Sequence, residues 1–110
     1  MSKETNSKIE ELQILQQQLQ TILAQKQNIQ IELQEIENAL EELKNADDEV
    51  YKVFSGIMIR SEKKILSQDL EEKKKMIEMK IDSMEKQEKK LEKSVESISA
   101  EINKAMSTHN

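Results

Sequence analysis

VYKVFSGIMI, residues 50–59, holds the single Tyr, the single Phe and the single Gly of a 110-residue chain. Val50, Tyr51, Val53, Phe54, Ile57, Met58 and Ile59 are β-branched, aromatic or otherwise bulky apolar residues, the kind that favour strands. Ser55-Gly56 lies midway as a two-residue turn, and Gly56 can take the positive φ that such turns need. Closing the chain there pairs Phe54 with Ile57, Val53 with Met58, Lys52 with Ile59 and Tyr51 with Arg60. The stretch reads as a short β-hairpin over 50–60. A lone two-stranded hairpin is marginal in water. This one has apolar residues on both faces and two unpaired edges, a liability unless other chains cover them. An assembly module follows, in which hairpins of several subunits complete one sheet or barrel. The competing reading is a plain loop whose apolar residues cap the end of a helical coil.

Outward from the hairpin the period changes. On one side Leu12, Leu15, Leu19, Ile22, Lys26, Ile29, Leu33, Ile36, Leu40 and Leu43 step by three and four. On the other side Leu70, Lys74, Ile77, Ile81, Met84, Glu88, Leu91, Val95, Ile98, Ile102 and Ala105 do the same. A 3.5-residue period sustained over this length specifies a left-handed coiled coil. Folding the chain back antiparallel brings Leu43 opposite Leu70, Ile36 opposite Ile77, Leu33 opposite Ile81 and Leu12 opposite Ile102. In that register Lys26, the polar break of the first seam, faces Glu88. Two readings fit this pair. Either it fixes the register as a polar seam contact, or both side chains run their charges out of a narrow seam into water.

The expected architecture is mostly α: a long antiparallel two-helix coiled coil, one unit over 1–110. Helix 1 covers 8–45, the β-hairpin 50–60 and helix 2 62–106. Asn45 is a candidate left-handed stop for helix 1, and Ser61 a candidate cap for helix 2.

Composition agrees and excludes several functions. Charged residues make up 35%, aromatics 2%, and Pro is absent. Such a chain lacks the bulky apolar side chains of a globular core and is rich in helix formers. The net charge is −5, and residues 62–110 carry eleven Lys and eleven acids, so no basic face points to nucleic acid. No apolar run is long enough for a membrane span or a signal peptide. Cys is absent, so no disulfide framework or thiolate chemistry is expected, and the default setting is cytoplasmic. The lone His109 is terminal, no Gly-rich phosphate loop is present, and the carboxylates are scattered. The chain reads as no enzyme, with no metal and no cofactor. The nine Gln between Gln13 and Gln34 and the Lys73-Lys74-Lys75 run read as solvated helix faces, and Met76 and Met79 as ordinary surface residues.

A helix, a short hairpin and a second helix in about this length resemble the β-type subunit of prefoldin. The resemblance rests on LQQQLQTILAQKQNIQ (15–30), ALEEL (39–43) before an acidic joint, VYKVFSGIMIRSEKK (50–64) and MEKQEKKLEK (84–93). The third of these is the most specific, and the likeness covers about residues 9–106. α-type subunits of the family carry a second hairpin and run longer, so one hairpin places the chain with the β type. The resemblance implies a hexamer of two α and four β subunits whose hairpins (here Val50, Tyr51, Val53, Phe54, Gly56, Ile57, Met58 and Ile59) form a shared β-barrel. It implies an ATP-independent holdase that grips unfolded polypeptides at its coil tips and passes them to a group II chaperonin. Near the open end of this chain, Ile9 and Ile14 lie off the seam and Leu12, Leu15, Ile98 and Ile102 on it, with Met106 as a soft contact. These seven are the expected client-binding residues. A function of another class, a structural or tethering coiled-coil scaffold, also fits the periodicity.

Overall fold

The computed structural model of the chain describes residues 2–107; His109 lies outside them. Helix α1 runs Lys3–Lys44, strands β1 Glu49–Phe54 and β2 Ile57–Glu62 form a hairpin, and helix α2 runs Lys63–Ser107. The fold is thus two long helices with a short antiparallel β-hairpin between them.

Helix α1 begins earlier than the heptad alone suggests because Ser2 caps it. Its hydroxyl accepts from the Thr5 amide at 3.1 Å and shares a hydrogen bond of 2.9 Å with the Thr5 hydroxyl. A Ser just before the first turn satisfies one of the amides that a helix start leaves unpaired. Asn45 is not the left-handed stop expected of it: Ser55 is the one non-Gly residue with positive φ among the described residues. The helix instead ends in tightened turns, Asn45 N to Glu42 O and Ala46 N to Leu43 O, both 3.2 Å. Lys63 completes the stop from across the joint. Its ammonium donates to the carbonyls of Lys44 at 3.2 Å and Ala46 at 3.1 Å.

Ser61 is not the cap of the second helix. It lies in β2 opposite Val50, and the ladder continues to Glu49 opposite Glu62. The Lys63 amide donates to Asp48 O at 2.8 Å and ends the strand at the first residue of α2.

The chain forms two compact units. In the unit 28–81, Ile36, Ile77 and Ile81 are buried, with Ile29, Leu33, Leu40 and Leu70 packed against them. Leu43 is buried as well. In the unit made of 2–27 and 82–107, the ion pairs Lys26–Glu88 and Lys8–Glu101 align the two helix segments antiparallel. Here Ile102 and Thr5 are buried. Leu12, Leu15, Leu19, Ile22, Leu91, Val95 and Ile98 are half-buried. Two helices cannot fully enclose a seam, so burial stays partial and follows the heptad. Met76 and Met79 point away from it and are exposed.

Candidate functional site

The hairpin is built from its turn. Ser55 and Gly56 adopt φ of 50° and 80°. Positive φ at both central residues gives the turn whose twist matches that of the flanking strands. A Cβ on Gly56 would meet nothing within 4 Å. The glycine therefore serves backbone conformation and not close packing. The register is Phe54 with Ile57, Val53 with Met58, Lys52 with Ile59 and Tyr51 with Arg60, as the turn position predicts.

Near the base of the hairpin Glu49 gathers two partners. Its carboxylate accepts from the Arg60 guanidinium at 3.0 Å, once from each of two nitrogens, and from the Tyr51 hydroxyl at 3.0 Å. Glu49 was not singled out from sequence. The signal was available, since Tyr51 faces Arg60 in the expected register and Glu49 sits two residues back on the same face.

Tyr51, Val53, Phe54, Ile57, Met58 and Ile59 are all exposed, and Val50 is half-buried at the base. The outer edges of β1 and β2 have no strand beside them, since the described residues hold one two-stranded sheet. Six exposed apolar side chains and two open edges thus fall within one short segment.

At the open end, the expected client-binding residues divide by burial. Ile14 and Met106 are exposed, Ile9, Leu12, Leu15 and Ile98 are half-buried, and Ile102 is buried. Ile14 borders a shallow groove lined also by Gln18, Ile22, Gln87 and Leu91. Thr5, not foreseen from sequence, is buried there.

Lys26 donates to Glu88 Oε2 at 2.7 Å, with the side chains 19% and 16% exposed. The hydrogen bond to Glu88 raises the Lys26 pKa above its ordinary 10.5 against a smaller opposing effect of desolvation, and the Glu88, Glu85 and Glu92 charges add to the rise. The geometry is a direct contact in the seam and not two charges turned outward. Among the described residues there is no group of His, Cys, Asp and Glu that could hold a metal, and no helix long and apolar enough to cross a membrane.

Two long helices joined by a hairpin whose apolar side chains are exposed define a class of helical hairpin subunits. The sequence profile of the prefoldin subunit family matches residues 6–109. The crystal structure of the prefoldin beta subunit from Thermococcus strain KS-1 superposes with a TM-score of 0.87 at 32% identity, over 94% of this chain and 93% of that one. No curated protein sequence matches at a significant level. The chain belongs to the prefoldin family, with the one-hairpin architecture of a β-type subunit. Prefoldin is a chaperone family and not an enzyme family.

Proposed function

We propose that this chain is a subunit of a cytoplasmic, ATP-independent holdase: a hetero-hexamer of two α-type and four β-type chains. In it the hairpins share a β-barrel and the coil tips hold unfolded polypeptide for a group II chaperonin. Family membership supports the chaperone role. The observation that carries the assembly is the hairpin, whose apolar side chains stand exposed beside two open edges. Client holding is supported by Ile14 and Met106, apolar and exposed at the open end. Weak contacts of this kind become effective when several tips engage one chain at once.

The test uses the complex formed with the chain's own partner subunits. Its suppression of aggregation of a denatured client is followed by light scattering. Replacing Ile9, Ile14 and Met106 together by Ser is expected to lower the suppression and leave the native mass unchanged. Full suppression by the triple variant would reject the tip assignment. A wild-type complex that assembles and suppresses nothing would favour the tethering scaffold.

A further inference from the structure

Strand β2 runs into helix α2 with no residue between them, Glu62 closing the one and Lys63 opening the other. On the other side of the hairpin four residues, 45–48, join α1 to β1. The two connections differ in freedom. A direct strand-to-helix step leaves few backbone angles to vary, whereas a joint of four residues leaves many.

Side-chain packing adds little at the base of the hairpin. Val50 and Ser61 are half-buried there, but the apolar residues further along both strands are exposed. An open hollow bordered by Asp48, Glu49, Arg60, Glu62 and Ile65 lies where packing would otherwise brace the strands. The bonds of Glu49 to Tyr51 and Arg60 join strand to strand and leave the direction of the whole hairpin free.

One residue supplies the brace. The Lys63 amide donates to Asp48 O at 2.8 Å, and its ammonium donates to Lys44 O at 3.2 Å and Ala46 O at 3.1 Å. Three alternate carbonyls thus converge on the first residue of α2. The Lys63 side chain is half-buried, and its charge meets the negative end of the α1 dipole.

We propose that Lys63 is the positioning residue of the hairpin: its ammonium, held by the Lys44 and Ala46 carbonyls, fixes the direction in which β1 and β2 leave the helical segments 28–44 and 63–81. The proposal rests on the assembly reading above only for the use made of that direction. A hairpin that is already aimed loses less conformational freedom when it meets another chain.

The chain has no Cys, so a pair of spin labels can be placed at chosen sites. Met58 in β2 and Met79 in α2 are 69% and 73% exposed. Met58→Cys with Met79→Cys puts one label on the hairpin and one on the helix. The distance between them is measured in the full chain by pulsed electron paramagnetic resonance, with Lys63 intact and with Lys63→Met or Lys63→Arg. Lys63→Met keeps the amide bond to Asp48 and the apolar stem and removes two hydrogen bonds. It is expected to broaden the distance distribution, while amide exchange shows β1 and β2 still formed. Lys63→Arg, which keeps the charge and the donors, should restore the narrow distribution. Equal widths with Lys63 and with Lys63→Met would overturn the proposal. Loss of strand protection in Lys63→Met would overturn it too, since melting and not misdirection would then widen the distribution. In the unlabelled chain combined with its partner subunits, Lys63→Met should weaken assembly about tenfold, followed by native mass spectrometry across a dilution series. Assembly at wild-type strength by a chain whose hairpin has come loose would overturn the role given to Lys63. A wild-type chain that stays monomeric with its partners would instead remove the assembly reading, while the label distances still decide what Lys63 does.

Discussion

Ser55 and Gly56 carry the sharpest residue-level constraint, because both sit at positive φ and a Cβ on Gly56 would meet open space. Gly56→Ala should therefore destabilise the hairpin by about 1–2 kcal/mol through backbone conformation alone. Ser55→Asn should act in the opposite direction, since Asn tolerates the left-handed region better. Amide exchange in β1 and β2 reports both changes. Lys26 makes a second prediction, through pH. Its folded pKa lies above the unfolded value of 10.5. The stability it contributes is thus fully present below that pH and is lost as pH rises through the folded value. Denaturant unfolding of wild type and Lys26→Met should show a constant difference from neutral pH to about 10, shrinking above it. The pairing itself was legible in the sequence, because each helix breaks its heptad and the two breaks coincide in one register. Asn45 and Ser61 were misread for a common reason. Their local preferences, for a left-handed stop and for a cap, were overridden by the ladder reaching Glu62 and by Lys63 bonding back across the joint.

Among the elements, burial separates neighbours in sequence. Ile77 is 7% exposed beside Ile36 and Ile81, whereas Met76 is 70% exposed. Ile77→Ala should cost about 2–5 kcal/mol, and Met76→Ala within about 0.5 kcal/mol of nothing. Thermal unfolding of the two variants checks the contrast. At the joint, Lys63→Ala removes two hydrogen bonds, one to the carbonyl of Lys44 at the end of α1 and one to that of Ala46 just beyond it. The expected loss is about 1 kcal/mol, seen as earlier fraying of α1 in amide exchange near residue 44. The elements were legible because the period switches from 3.5 to 2 and back, and the switch coincides with every aromatic residue and the only Gly. Where helix α1 starts was not, since the Ser2 cap precedes the first seam residue. At the tip, Ile9 is half-buried within α1, whereas Ile14 and Met106 are exposed.

For the whole molecule, alignment of the helices in the unit made of 2–27 and 82–107 depends on a few directional contacts among many interchangeable apolar ones. Lys26–Glu88 at 2.7 Å is the best placed of them. Reversing one charge, Lys26→Glu, should lower the cooperativity of unfolding, and the double reversal Lys26→Glu with Glu88→Lys should restore it. Calorimetric scans of the three chains give that comparison. The hairpin was legible because β-branched and aromatic residues flank a two-residue turn, and the assembly proposed for it rests on apolar residues on both faces of a two-stranded sheet. The Glu49 cluster was not singled out, because the expected hairpin began at Val50 and left Glu49 outside it. The same cluster has an optical consequence. The chain has one Tyr and no Trp, so its ultraviolet emission comes from Tyr51 and the two helices are dark. Tyr51 is 58% exposed, so a soluble quencher should reach it in the free chain. The molecule carries a built-in lamp on its hairpin, and whether that lamp changes when partner subunits are added reports whether the hairpin is where they meet.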